Sequence, residues 1–324
     1  MRTRFAPAPT GWLHLGHVLN AEYVWGHLAA GVEPREQCEV LLRIEDHDRE
    51  RCRPEYEMAI LDDLDWLGYR PDIFHTDAFR AGVCDGRQSD RETVYREAVD
   101  VLKREGLVYG CDCTRTSIEA RSEGRGAGRE ERGAGSEGRG AGSEGRGAGS
   151  EERGAGSEER GRSAKVVEIA ELRYDGHCRD RGLPLADGYG WRIRMEPGAE
   201  RFVDQRLGLQ TQDPATQCGD VLIRDRLGNW TYQFAVSVDD FRQGIDLVIR
   251  GDDLLPSTGR QIRIARLLGR DRPAAFLHHP LIMKSADQKL SKSDGDTGIR
   301  DLRAQGATPT QVKTLARTSP VDQR

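Results

Sequence analysis

The sequence predicts an α/β fold built on a parallel sheet, with a nucleotide site at the ends of its strands. Three observations predict it. Strand-type and helix-type patterns alternate along most of the chain. An extended, proline-containing segment near the start runs through Thr10-Gly11 into a helix whose first turn carries His14-Leu15-Gly16-His17. A Gly-rich repeat at residues 122–162 stands apart from everything else, so the folded body is read from the remainder.

Taken in order, Glu39 to Ile44 (EVLLRI) reads as a buried strand. Pro54 to Leu67 follows as a helix, with Ile60, Leu61, Leu64 and Leu67 on one face and Gly68 as its stop. Arg91 to Glu105 is a second helix, carrying Val94, Ala98, Val101 and Leu102 at burial spacing and ended by Gly106. Strand-like runs come next at Gly190–Met195, Val221–Arg224, Tyr232–Val238 and Leu247–Arg250. Ser257 is placed to cap a helix reaching Leu268, with Gly269 after it.

The repeat has the form Gly-Ala-Gly-Ser-Glu-(Gly/Glu)-Arg with a period of seven. A coiled coil of that period needs two apolar positions per heptad, and here Ala is the only apolar side chain. Its Glu and Arg nearly cancel, so the segment is expected to be a disordered, roughly neutral linker without a catalytic role.

Bulk properties narrow the class. The chain has 324 residues, 32% of them charged, and a mean hydropathy of −0.68. No apolar run approaches the ~18 residues that span a bilayer, and the N-terminus lacks the apolar stretch of a signal peptide. Seven cysteines, two of them in Cys111-x-Cys113, suit a reducing compartment. The reading is a cytoplasmic protein, without a membrane partner and monomeric. The net charge of −5 argues against a global positive field for nucleic acid, and leaves room for a local basic groove.

Two motifs carry chemistry. His14 and His17 are three residues apart on a helix, so both imidazoles face one ligand near the positive end of the helix dipole, where a triphosphate is favoured. Gly16 between them leaves room for a nucleotide. Alone, the pattern also fits two surface histidines. The second motif is Lys289-Leu290-Ser291-Lys292-Ser293-Asp294-Gly295, a cationic loop able to close on phosphates and offset charge developing at an α-phosphorus.

Together these motifs resemble the paired HIGH and KMSKS signatures of class I aminoacyl-tRNA synthetases. Arg4 to Gly11, Arg43-Ile44-Glu45-Asp46, Tyr232 to Asp240 and Asp246 to Gly251 resemble the glutamyl-tRNA synthetase subfamily, so the likeness covers nearly everything outside the repeat. The resemblance implies a split Rossmann-type parallel sheet that uses ATP, with magnesium as its counterion. His14, Gly16, His17, Lys289, Ser291 and Lys292 would hold ATP, with His14, His17 and Lys292 catalytic. Glutamate offers two carboxylates and an ammonium, which call for guanidinium partners and one carboxylate. By family position Arg4 and Arg250 supply the cations, Glu45 meets the ammonium, Tyr232 adds a hydroxyl, and Phe5, Ala6, Pro7 and Ala8 line the pocket. Most relatives have Ser where this chain has Ala8, a departure expected to weaken glutamate binding without changing specificity.

A metal site is expected around the repeat. Cys111-x-Cys113 is a half-site, zinc wants four ligands, and Tyr174, His177 and Cys178 follow the repeat. From the residues alone His177 rivals Tyr174, since imidazole is the commoner zinc ligand. The ligand set Cys111, Cys113, Tyr174 and Cys178 is what resemblance to the truncated paralogues, the glutamyl-Q tRNA(Asp) synthetases, implies. Only 31 residues follow Ser293, with a short helix starting near Pro309, and no anticodon-binding domain is expected in them. That points from tRNA charging to the paralogues, which activate glutamate without tRNA and transfer it to queuosine at the wobble position of tRNA(Asp). The chain would divide into a first catalytic half (1–110), a zinc module interrupted by the repeat (111–180), a second catalytic half (181–285), and the KMSKS-type loop with its tail (286–324).

Overall fold

The computed structural model describes residues 1–26, 38–123, 172–285, 288–289, 298–319 and 321. In chain order its strands are β1 (Arg2–Phe5), β2 (Glu39–Leu42), β3 (Val108–Cys111), β4 (Gly190–Ile193), β5 (Glu200–Asp204), β6 (Gly208–Gln212), β7 (Val221–Arg224), β8 (Leu247–Gly251), β9 (Ala275–His279), β10 (Met283–Ser285) and β11 (Gln288–Lys289). Its helices are α1 (Leu15–Val24), α2 (Pro54–Leu67), α3 (Thr76–Arg80), α4 (Glu92–Arg104), α5 (Pro214–Gln217), α6 (Tyr232–Arg242), α7 (Thr258–Leu267), α8 (Ile299–Ala304) and α9 (Pro309–Thr318). The chain falls into two units, Met1–Cys113 with Tyr174–Arg324, and Thr114–Arg173. In the second unit residues 115–123 are helical, begun by a reciprocal bond pair between Thr114 and Ser117. Of the expected linker at 122–162, residues 124–162 lie outside the described residues.

In the larger unit, β1 and β2 pair in parallel from Arg2↔Glu39 to Phe5↔Leu42. β8 and β9 pair in parallel from Leu247↔Ala275 to Gly251↔His279, and β5 joins β9 in parallel at Asp204↔Phe276. β1 runs beside β8: the Asp246 N–H donates to the Arg2 carbonyl (2.8 Å) and Arg4 Nη1 to the Ile249 carbonyl (3.1 Å). This is the expected parallel α/β sheet. A second, antiparallel sheet has the order β3-β4-β7.

Burial explains the layers. Val40, Leu42 and Leu247 from the sheet pack with Val18 and Leu19 of α1 and Leu61 of α2 in one core. A second core joins Ala98 and Leu102 of α4, Ile193 and Ile223 of the antiparallel sheet, and Phe234 of α6. Val312 and Ala316 of α9 are buried in the first core, and Arg317 pairs with the buried Glu22 of α1, which also accepts from the Tyr69 hydroxyl.

Most elements match the sequence reading, and one does not. Tyr232–Val238, expected as a strand, is the first part of helix α6. Phe234, Ala235, Val236, Ser237 and Val238 are all buried. A helix buried on every side shows a continuous apolar run instead of a stripe, and such a run looks the same as a buried strand. Ser257 does sit at the N-cap of α7, although no side-chain cap bond forms; its Oγ instead accepts from Gln233 Nε2 at 3.0 Å.

Helix α6 places Asp239 in the interior, fully buried, where it accepts from Gln88 Nε2 (2.8 Å), Arg91 Nε (2.8 Å) and the Tyr95 hydroxyl (2.9 Å). Removing one member of a buried charged network strands its partners. Asp239→Ala is therefore expected to lower unfolding free energy by about 3–5 kcal/mol, read as a shifted urea midpoint. A shift within error of wild type would contradict this role.

Candidate active site and metal centre

A cavity of about 570 Å³ opens at the carboxyl ends of β1, β8 and β9. It gathers eleven of the residues singled out in the sequence: Arg4, Phe5, Ala6, Pro7, Ala8, His14, Gly16, His17, Glu45, Tyr232 and Arg250. Asn20, Asp253 and His279, not foreseen, line it too.

At one end the two histidines cap α1. The Gly16 N–H donates to His14 Nδ1 (3.0 Å), and the His14 N–H donates to His17 Nδ1 (3.1 Å). An accepting Nδ1 carries no proton, so each ring is neutral with its proton on Nε2, a donor suited to phosphate oxygens. The rings lie 4.0 Å apart at the positive end of the helix. A Cβ on Gly16 would come within 2.9 Å of His14 Cε1, so this glycine is needed first by the histidine cap itself.

At the other end Arg250 is buried and held by neutral acceptors. Its Nε donates to His278 Nε2 (3.0 Å), Nη1 to Gln261 Oε1 (2.6 Å) and Nη2 to Thr258 Oγ1 (2.7 Å). His278 is fixed in turn by Asp204, which faces its Nδ1 at 2.7 Å. Beneath the cavity, Asp240 Oδ1 accepts from Arg4 Nε (3.1 Å) and Arg43 Nη2 (2.7 Å), while Arg43 Nη1 lies 3.6 Å from Glu45. Three guanidiniums, of Arg4, Arg43 and Arg250, thus face two carboxylates, of Asp240 and Glu45. Asp253 adds a third carboxylate to the cavity wall, so the cationic character is local to Arg4 and Arg250, where it suits a ligand carboxylate.

Protonation follows from burial. Burial raises the Glu45 carboxyl above its ordinary range, although Arg43 and Arg4 pull against it. Burial and the Glu45 charge push the Tyr232 phenol up to about 12, so it remains a donor. His279 is pushed down to about 4, chiefly by burial; it is neutral, stacks on Tyr23 at 4.9 Å and meets Asn20 Nδ2 at 2.9 Å.

The loop motif is seen from its two ends. Lys289 forms the last position of β11, paired with Met283 of β10. Gly298 bridges to His14, and the Ile299 N–H donates to the Leu13 carbonyl (2.9 Å). Ser291 and Lys292 lie outside the described residues. The segment between them leaves from beside cavity residues Leu281 and Ile282 and returns beside the histidine cap.

The second cluster sits at the end of β3. Cys111, Cys113 and Cys178 place their sulfurs within 4.8 Å of one another, a group able to hold a metal ion. The Tyr174 hydroxyl lies 3.5 Å from Cys111 Sγ and 3.9 Å from Cys113 Sγ, and Cys113 and Cys178 are 3.5 Å apart. Those spacings are close to the ~3.5–3.8 Å edges of a tetrahedron drawn around zinc, and the Cys113–Cys178 separation is far too long for a disulfide. His177 is exposed and outside the cluster. Arg192 Nε reaches Cys111 Sγ at 3.3 Å and its guanidinium stacks on the Tyr174 ring at 3.7 Å. Burial opposes ionisation of Cys111, but its hydrogen bond with Tyr174 and the Arg192 charge outweigh that and lower its pKa. Gly219 makes this approach possible: a Cβ there would stand 2.0 Å from the Tyr174 carbonyl oxygen.

The residues missed by sequence reading share a place in the fold. Arg250 is positioned by His278, Thr258 and Gln261, and the cavity wall gains Asn20 and His279. A signal for two of them was present: consecutive histidines ending an apolar strand, where α/β sheets put their ligands.

A parallel α/β sheet with a histidine-capped helix and an arginine-lined cavity at its strand ends defines the catalytic domain of a class I synthetase. Residues 1–152 and 192–318 match the family of class I tRNA synthetases (E and Q), catalytic domain, and the chain belongs to that family of ligases. It is 34% identical to a glutamyl-Q tRNA(Asp) synthetase of Rhodobacter capsulatus, over 97% of this chain and 99% of that protein. It is 38% identical to one of Bordetella bronchiseptica, over 90% and 75%. Against glutamate–tRNA ligase 1 of Acidithiobacillus ferrooxidans identity is 33%, over 95% of this chain but 54% of the ligase. The structure of a glutamate tRNA ligase from Elizabethkingia meningosepticum in complex with its amino acid superposes with a TM-score of 0.64 at 26% identity, covering 91% of this chain and 52% of that one. Among the described residues no helix is long and apolar enough to cross a membrane.

The raised Glu45 pKa has a testable consequence if a ligand ammonium meets its carboxylate. Binding the cation favours ionised Glu45, so binding releases a proton, and affinity falls as pH drops through the raised pKa. Glutamate affinity measured by calorimetry is expected to weaken steadily toward acid pH in wild type. Glu45→Gln should bind weakly throughout and lose that slope; an unchanged slope would exclude Glu45.

Proposed function

We propose that the protein joins glutamate to ATP as glutamyl-adenylate, without needing tRNA, and transfers the glutamyl group to queuosine at the wobble position of tRNA(Asp). The observation that carries the glutamate half is Arg250, a buried guanidinium whose hydrogen-bond acceptors among the described residues are neutral. Its charge is left for a ligand carboxylate, in a cavity where Glu45 can meet an ammonium and Tyr232 donate a hydroxyl. Arg4 supplies the second cation, and Phe5 to Ala8 form the wall. The similarity to the Rhodobacter capsulatus protein along 99% of its length supports the acceptor half.

In this reading His14 and His17 donate Nε2–H bonds to the ATP phosphates, and magnesium accompanies ATP as its counterion. Gly16 and Lys289 border the nucleotide, with Ser291 in the same loop. A glutamate carboxylate oxygen attacks the α-phosphorus, the bond to pyrophosphate breaks, and Lys292 offsets charge on the pentacoordinate phosphorus. A queuosine hydroxyl then attacks the acyl carbon and AMP leaves. Cys111, Cys113, Tyr174 and Cys178 hold a structural zinc, a reading supported by three sulfurs within 4.8 Å of one another and the Tyr174 hydroxyl 3.5 Å from Cys111 Sγ.

Two measurements test this reading. Labelled glutamate should transfer to tRNA(Asp) carrying queuosine and not to the same tRNA lacking it; equal transfer, or charging of tRNA(Glu) instead, would overturn the acceptor. Purified protein should contain one zinc, and Cys111→Ser should lose it; retention of stoichiometric zinc would overturn the ligand set.

A further inference from the structure

A second cavity, of about 390 Å³, lies beside the first. Arg49, Arg96 and Arg224 line it with His47, and Glu92 is the one lining carboxylate among the described residues. Glu92 is already engaged by Trp230 Nε1 (2.6 Å) and Arg96 Nε (2.8 Å). In a chain of net charge −5 this is a local reversal of sign, the kind of concave cationic site that concentrates a polyanion. We infer that this cavity receives a backbone phosphate of the acceptor nucleotide when the RNA docks for transfer. The inference rests on the acceptor being RNA, and it names the site by which that RNA is held.

Its position supports the assignment. His47 lines this cavity, and its ring lies 5.9 Å from that of Tyr232, which lines the catalytic one. The two cavities therefore meet at the amino-acid end, away from the histidine-capped helix assigned to ATP. His47 is held there: its Nδ1 lies 2.8 Å from Gln88 Oε1, and Gln88 donates through Nε2 to Asp239. An incoming hydroxyl would reach the activated carboxylate from this side without displacing the nucleotide.

The rim is built for a large partner. Arg224 lies over the Trp191 ring (4.7 Å) and the Trp230 ring (5.5 Å), and its Nε donates to the Gly228 carbonyl (3.1 Å). That fixes a tight turn in which Asp225 Oδ1 accepts from the Leu227 N–H (2.9 Å) and the Asn229 N–H (2.8 Å). The turn presents Leu227, 73% exposed, at the edge of the cavity. A rigid turn holding an apolar side chain in water, next to three guanidiniums, suits a ribose or base above a phosphate.

The test is direct binding of tRNA(Asp) to the full chain by fluorescence anisotropy across a salt series, with ATP–pyrophosphate exchange as a separate readout. Arg49→Glu and Arg96→Glu are exposed changes, and Arg224→Gln provides a third variant that keeps a long polar side chain. Each is expected to weaken binding about tenfold and to reduce the salt slope by about one. Arg104→Glu makes the same charge change eight residues further along α4, about 12 Å away and beyond the ~10 Å screening length at 0.1 M salt; it should bind as wild type does. If Arg49→Glu and Arg96→Glu bind like Arg104→Glu with an unchanged slope, the assignment is wrong. Binding is scored whether or not glutamate is transferred, so failure of the queuosine reading and failure of this one are told apart.

Discussion

The architecture turns on one shared carboxylate. Asp240 Oδ1 accepts from Arg4 on β1 and from Arg43 just after β2, so a single oxygen on α6 ties both strands to the helix behind them. Burial favours protonating Asp240, but the nearby guanidiniums outweigh it and hold its pKa below the ordinary carboxylate range. Asp239, its neighbour in sequence, performs the same task toward Arg91. Because these acids are consumed by Arg4, Arg43 and Arg91, Arg250 is left with neutral partners. A buried guanidinium in that situation is costly without a ligand and strongly attracting to a carboxylate. The stability of the sheet and the charge of the pocket are set by the same few residues.

The two ends of the cavity use different physics. At the histidine-capped end, proposed for ATP, neutral histidines and a helix terminus offer N–H donors without net charge, which suits a ligand that brings its own cation. At the arginine-lined end, proposed for the amino acid, fixed charge would do the sorting. Between them lie Pro7, whose carbonyl accepts the Glu45 N–H at 3.1 Å, and the extended backbone that follows β1. This places the cap, the cation and the acid on one short span of sheet.

Much of this was legible in the sequence. The parallel sheet could be read from alternating patterns, and the cavity from blocks around Arg4, Glu45, Tyr232 and Arg250, because strand ends converge in such folds. The cysteine cluster was legible from Cys111-x-Cys113 and Cys178, whereas the places of Tyr174 and His177 needed three dimensions: Tyr174 is buried beside the sulfurs and His177 is exposed. Helix α6 was misread because complete burial erases periodicity. The supports of Arg250 were invisible, since Asp204 on β5, Thr258 and Gln261 on α7, and His278 on β9 come from three elements far apart in sequence. Local sequence reports which face is buried; it does not report which distant side chains meet there.

The central claim is that Arg250, whose hydrogen bonds to His278, Gln261 and Thr258 are all with neutral acceptors, selects an amino acid with a second carboxylate. Comparing the Kd values of L-glutamate and L-glutamine by calorimetry tests it most directly, since the two ligands differ by one charge and almost nothing in size. The account predicts glutamate binding at least about a hundredfold tighter, with the difference largely lost in Arg250→Gln. Equal affinities in wild type, or a preference that survives in Arg250→Gln, would contradict it.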